Sequence, residues 1–120
     1  MVIGKRMPGV GGMEVNILLC CASGMSTSLL MLKMERAAAE KGIDCNITAV
    51  PVDAVKHHIA KADVILLGPQ VQHLSVSLKE ECAVMGIPVA VINRLEYGTW
   101  DGEKVLDMAI AYMKEMNSEA

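Results

Sequence analysis

Three short apolar runs, each followed by a turn and a helix-like segment, constrain the fold of this chain most strongly. The runs are VNILLC (15–20), DVILLG (63–68) and PVAVIN (88–93). Nearly continuous apolar segments of this length are typical of strands that are buried on both faces. A fourth segment, CNITAV (45–50), mixes polar and apolar residues and predicts a strand at the edge of the sheet.

Helical patterns separate these strands. They lie at 26–42, 76–86 and 101–116, with a shorter helix or turn region at 52–62. Alternating strands and helices predict an α/β fold, in which a parallel sheet has helices on both faces. Right-handed crossovers leave few topologies, and we expect a four-stranded sheet in the order 2-1-3-4. This order reverses beside strand 1, so ligands should bind at the carboxyl ends of strands 1 and 3.

Length and composition exclude several classes of protein. The 120 residues suit one domain, and we expect residues 1–12 to form a flexible leader before a single domain at 13–120. The leader has no apolar segment of a secretory signal, and no run of eighteen or more residues lacks polar or charged side chains. The net charge of −3 is scattered, and only three aromatic residues are available for base stacking, so nucleic acid is not an expected partner.

The turn after strand 1 contains the main candidate for chemistry. The strand ends in Cys20, Cys21 stands where the strand gives way to the helix, and small or hydroxyl-bearing residues follow. Backbone N–H groups in such a turn, together with a helix N-terminus, bind anions and favour a thiolate at Cys21. The predicted phosphate-binding loop consists of Ala22, Ser23, Gly24, Met25, Ser26, Thr27 and Ser28. On these residues alone, Cys21 is either a nucleophile facing a phosphate cradle or a buried structural cysteine.

The segments CASGMSTSLL and ADVILLGPQ resemble the enzyme IIB component of the lactose/chitobiose (cellobiose) class of the sugar phosphotransferase system. The resemblance covers roughly residues 14–116, including LEYGTWDG before the last helix. The position that matches the phosphoacceptor cysteine of this family is Cys21, because it lies three residues before Gly24. Cys20 falls on the last strand residue, where such proteins usually carry an apolar side chain.

The resemblance implies a cytoplasmic phosphotransferase that works without a cofactor. Cys21 would accept a phosphoryl group from a phosphohistidine on a IIA protein. It would then pass the group to a sugar, of the disaccharide class, held by the membrane permease IIC. The protein would therefore visit the inner face of the membrane only through its permease.

Other polar and sulfur-containing residues have less defined roles. Gln70, Tyr97 and Asp101 follow strand ends, and we weigh a place on the rim of the same site against an ordinary loop role. Met25 is a candidate apolar contact for a partner. The remaining cysteines are expected to be packing residues in thiol form, and no metal site is expected because the histidines lack neighbouring ligands at suitable spacing. The cysteines are Cys20, Cys45 and Cys82, and the histidines are His57, His58 and His73.

Two other functions share this fold and are kept as alternatives. Low-molecular-weight tyrosine phosphatases place a cysteine in a phosphate loop after strand 1, but they use a Cys-x5-Arg pattern in which the arginine grips the phosphate. Thr27 stands six residues after Cys21, and the sequence offers no evident general acid. This favours a carrier over a hydrolase. A non-catalytic regulatory module with the same fold is the third interpretation.

Overall fold

A computed structural model describes residues 14–21 and 25–118, so the predicted leader lies outside the described residues. The strands are β1 (Val15–Cys21), β2 (Cys45–Pro51), β3 (Val64–Leu67) and β4 (Val89–Val91). The α-helices are α1 (Met25–Lys41), α2 (Ser75–Ala83), α3 (Arg94–Gly98) and α4 (Gly102–Ser118). Three 3₁₀ segments, Val52–His57, Ile59–Lys61 and Pro69–Leu74, complete the connections between these elements.

The four strands form one parallel sheet in the order β2-β1-β3-β4, as predicted. β1 pairs with β2 over its whole length, from Val15 opposite Cys45 to Cys21 opposite Pro51. On its other side, β1 pairs with β3 and places Cys20 opposite Leu67. The strand order therefore reverses at β1, and β2 lies at the edge of the sheet, as its mixed composition predicts.

Each face of the sheet has its own apolar core. Alternate β1 residues, which include Ile17 and Leu19, pack under α1 and α4. The intervening residues Leu18 and Cys20 pack under α2 and the 3₁₀ segments. The helices contribute to the first core through Leu30, Met34, Ala37, Ala38, Val105, Leu106, Ala109 and Met113. The period of two along β1 thus produces the predicted arrangement with helices on both faces.

Two glycines, Gly42 and Gly86, stand where α1 and the turn after α2 end, at the last positions of the predicted helical patterns 26–42 and 76–86. Gly42 follows α1 with a φ of +71°, and Gly86 follows the turn after α2 with a φ of +69°. In each case the residue after the glycine donates a hydrogen bond to a carbonyl five residues earlier, at 2.9 Å for Ile43 and 3.1 Å for Ile87. This is the Schellman arrangement, which satisfies carbonyl groups at the end of the helix and requires the left-handed conformation that glycine adopts easily.

The helices α1 and α4 approach closely because α4 begins with a glycine. A Cβ atom on Gly102 would lie 2.4 Å from the carbonyl carbon of Lys33 and 2.5 Å from the backbone nitrogen of Met34. Farther along the pair, the Nζ atom of Lys41 lies 3.4 Å from Glu103 and 3.6 Å from Asp107. The contact at Gly102 fixes how near the two helices lie, and therefore how tightly the first core is packed.

Candidate functional site

Cys20 and Cys21 lie at the carboxyl end of the central strand, beside the point where the strand order reverses. Their side chains are 1% and 2% exposed. Cys20 belongs to the core under α2, whereas the alternation along β1 directs Cys21 towards the opposite face. The backbone nitrogen of Gly68 donates to the carbonyl oxygen of Cys20 at 2.9 Å, which ties the end of β1 to the end of β3.

The surroundings of the other three thiols keep them protonated near neutral pH. Burial, with a smaller contribution from the neighbouring Cys21, raises the pKa of Cys20 to about 11. Burial also raises the pKa of Cys45 to about 11, with the carboxylates of Glu35, Glu14 and Asp44 adding to the effect. Cys82 has a pKa raised by burial and by Glu81. A thiol that stays protonated is a poor nucleophile, so these cysteines act as packing residues.

The predicted phosphate-binding loop is only partly described. Ala22, Ser23 and Gly24 lie outside the described residues, and α1 begins directly after them at Met25. Ser28 is exposed in the first turn of this helix. The short distance along the chain between Cys21 and the start of α1 is typical of an anion site at a strand-to-helix turn. The cradle itself, with Met25, Ser26 and Thr27, stays a prediction.

Two of the three predicted rim residues meet around Gly68. A Cβ atom on Gly68 would lie 2.8 Å from Oε1 of Gln70 and 3.5 Å from a ring carbon of Tyr97. Tyr97 is buried, and its ring belongs to the core under α1 and α4. Asp101 has a different position, since its carboxylate accepts a hydrogen bond from the backbone nitrogen of Lys104 at 3.1 Å and so caps α4.

The sequence did not predict α3 and, with it, the position of Arg94. This helix has only five residues, which is too short for an apolar period to be recognised. Its capping signal was available, because the Asn93 side chain accepts hydrogen bonds from the backbone nitrogens of Leu95 and Glu96 at 2.7 and 3.4 Å. Asn followed three residues later by Glu is the pattern of a helix N-terminus. α3 brings Arg94 to the same end of the sheet as Gln70.

The described part of the chain contains no cluster of three or more His, Cys, Asp or Glu side chains that could hold a metal ion. His57, His58 and His73 lie on or beside the 3₁₀ segments. Within the same residues, no helix is long and apolar enough to cross a membrane.

Comparison with known proteins assigns this architecture to a family. Residues 16–108 match the family model described as "PTS system, Lactose/Cellobiose specific IIB subunit". The oligo-beta-mannoside-specific EIIB component of Bacillus subtilis is 43% identical over 97 residues, which cover 81% of this chain and 94% of that protein. The galactose-specific EIIB component of Lactococcus lactis is 43% identical over 98 residues, which cover 78% of this chain and 91% of that protein.

A solved structure agrees with this assignment. The solution structure of a cellobiose-specific phosphotransferase IIB component from Borrelia burgdorferi has a TM-score of 0.74 and 39% identity, covering 88% of this chain and 97% of that one.

The lactose-specific EIICB component of Lactococcus lactis, 30% identical over 95 residues, matches 78% of this chain with 17% of its own length. PTS IIB components are phosphotransferases as a class, and in such relatives the IIB part is joined to a IIC part. With its matching sheet order and most of its length aligned, the chain belongs to the lactose/cellobiose-specific IIB family of the sugar phosphotransferase system.

Proposed function

We propose that this protein carries a phosphoryl group on Cys21, accepting it from a phosphohistidine of a IIA protein and passing it to a sugar bound by the permease IIC. The observation that carries this proposal is the position of Cys21. It ends the central strand, immediately before the turn into α1, at the reversal of strand order. The raised pKa values of Cys20, Cys45 and Cys82 make the other thiols poor candidates.

The transfer consists of two displacements at phosphorus. In the first, the thiolate sulfur of Cys21 attacks in line, and the S–P bond forms as the P–N bond to the donor imidazole breaks. The imidazole nitrogen keeps the bonding electron pair. In the second, a sugar hydroxyl oxygen attacks the same phosphorus, loses its proton, and displaces the thiolate of Cys21. Such transfers depend mainly on positioning and on stabilisation of the phosphoryl charge, which is the role proposed for the loop 22–28.

Membership of the family supports a proposal for the sugar and for the cellular location. Relatives of this chain are named for oligo-beta-mannoside, galactose and cellobiose. We assign to this protein a sugar of the disaccharide class, bound by the permease and not by the IIB chain. The protein then acts in the cytoplasm and reaches the inner face of the membrane through IIC.

Partner docking is proposed to centre on the loop 22–28 and the exposed start of α1. Leu29 and Leu32 present apolar side chains there, and Leu32 is 58% exposed. Trp100, 40% exposed, lies two residues before the glycine that contacts the backbone of Lys33, and so belongs to the same end of the α1–α4 pair. A relay protein has to release each partner, so we expect binding in the micromolar range or weaker. Chemical-shift changes confined to the opposite end of the sheet on addition of IIA would contradict this location.

The decisive experiment maps the phosphorylated residue. The protein is incubated with phosphorylated IIA of the Bacillus subtilis oligo-beta-mannoside system and analysed by mass spectrometry under conditions that preserve thiophosphate. Cys21→Ser should abolish labelling. Cys20→Ser is the matched control and should keep most of it, because Cys20 is a core residue. Labelling that survives in the Cys21 variant and disappears in a folded Cys20 variant would refute the assignment.

A further inference from the structure

A cavity of about 330 Å³ opens at the carboxyl end of the sheet, beside the end of β3. It is lined by Pro69, Gln70, Arg94, Tyr97 and Gly98. The buried ring of Tyr97 supplies its apolar part, and the exposed side chains of Gln70 and Arg94 supply its polar part. Pockets of this kind, with a few convergent polar groups on an apolar base, are typical of ligand sites.

The register of the sheet relates Cys21 to the residues that line this cavity. The register of β1 and β3 pairs Cys20 with Leu67, so its continuation brings Cys21 beside Gly68. Adjacent strands are about 4.8 Å apart. Side chains alternate between the two faces along both strands, so Cys21 and a Cβ atom placed on Gly68 would point to the same face of the sheet. On that face, the position of the Gly68 Cβ lies 3.5 Å from the ring of Tyr97. Oε1 of Gln70 lies 2.8 Å from the same Cβ position, so two residues that line the cavity, Gln70 and Tyr97, pack over the glycine that neighbours Cys21.

Arg94 brings a positive charge to this cavity. Its guanidinium forms no ion pair with any residue that the structure describes. The capping bonds of Asn93 fix the start of α3, and so they fix the backbone from which the Arg94 side chain extends. A guanidinium presents five donors in a planar fork that fits the oxygens of a phosphate group, and the amide of Gln70 adds a further donor.

We propose that Arg94 and Gln70 form a phosphate-binding subsite beside Cys21. The subsite rests on the proposed function for its biological role, since the phosphate it holds during turnover is the group being transferred. It complements the negative charge of that group with one fixed positive charge, which the backbone amides of the loop do not provide. Inorganic phosphate and the phosphoryl group on Cys21 have the same chemistry, and two measurements distinguish them.

The first measurement is a titration with inorganic phosphate, at ionic strength matched with chloride, in a Cys21→Ser background. Arg94→Ala should weaken binding roughly tenfold or more, because a charge-assisted hydrogen bond is lost. Arg94→Lys should have an intermediate effect, since lysine keeps the charge and loses the fork. Arg36→Ala is the matched control, because it removes the same charge from an exposed position on α1 and should leave binding unchanged.

The second measurement follows the ³¹P resonance of phosphorylated protein that keeps Cys21, as a function of pH. If the guanidinium contacts the phosphocysteine, it stabilises the dianion, and Arg94→Ala should raise the midpoint of this titration. A change in phosphate binding without a change in this midpoint would identify free phosphate as the ligand of the subsite. No effect of Arg94→Ala in either measurement would overturn the proposal. Failure of the donor to label Cys21 would refute the proposed function instead, and the first titration would still decide whether Arg94 binds phosphate.

Discussion

Replacing Gly102 with alanine tests whether the close contact between α1 and α4 limits the stability of the fold. The new Cβ would lie 2.4 Å from the carbonyl carbon of Lys33, whereas ordinary contact begins at 3.4 Å. The nearest atoms belong to backbone and cannot rotate away. The start of α4 must therefore retreat from α1 by about 1 Å, the difference between these two distances.

Two opposing effects determine how much Gly102→Ala changes the free energy of unfolding. Alanine is favoured over glycine in a helix by up to about 1 kcal/mol. Forced overpacking of a well-packed core costs about 1–3 kcal/mol, and here the retreat also loosens side chains that are fully buried, including Met34, Val105 and Leu106. We therefore expect a net loss of about 1–2 kcal/mol in the free energy of unfolding, or a fall in Tm of roughly 4–8 °C for a domain of this size.

Thermal and urea unfolding monitored by circular dichroism measure this loss, and two other glycines serve as controls. Gly98 would place a Cβ in open space, so Gly98→Ala should be neutral or slightly stabilising. Gly42→Ala should cost about 1 kcal/mol, because its φ of +71° is strained for alanine although the space is empty. A Gly102→Ala variant as stable as Gly98→Ala would refute the argument from contact.

Four further predictions concern the site and the core. The unfolded chain releases the Cys20 proton near pH 9.0, whereas in the folded chain the pKa of Cys20 is raised to about 11. About 2–3 kcal/mol of the free energy of unfolding that is present below pH 9 should therefore be lost as the pH rises to 11. Urea titrations at each pH measure this loss, and Cys20→Ala should reduce it. Asp101→Ala removes the cap of α4 and should lower the free energy of unfolding by about 1 kcal/mol. Gly68→Ala should fold normally, because its Cβ displaces only the flexible end of Gln70, yet it should weaken phosphate binding in the same titration as Arg94→Ala. Aryl phosphates should be turned over negligibly, since a threonine occupies the position of a phosphatase arginine; rapid metal-free hydrolysis that is lost in Cys21→Ser would contradict this.

The sheet could be predicted from the sequence because local pattern and global topology agree. Apolar runs such as DVILLG have no polar face, so only a position between two helical layers suits them. The stops at Gly42 and Gly86 are equally local, since the left-handed conformation at a helix end favours glycine. Right-handed crossovers then left only a few topologies, and the expected order 2-1-3-4 among them is the observed one.

The arrangement around the end of β3 could not be predicted in the same way. The contact between Gly68, Gln70 and Tyr97 joins segments that are distant in the chain, and a short helix carries Arg94 to it. The role of Asp101 could not be predicted for a different reason, because its position in the sequence fits two roles. Its position after a turn is compatible with a rim residue or a helix cap, and only the 3.1 Å bond to Lys104 identifies the cap.

The two adjacent cysteines have a consequence for how this chain tolerates insertions and deletions. Because neighbouring residues of β1 face opposite layers, the apolar pattern from Val15 to Leu19 determines which thiol meets which layer. If the start of the strand keeps its pairing, removing one residue from this segment would move Cys21 to the place of Cys20 and would turn the apolar side chains after the deletion to the wrong layer. A shift in register therefore cannot exchange Cys21, the proposed nucleophile, for Cys20 without disturbing both cores. Changing the proposed nucleophile requires a substitution at residue 21 itself.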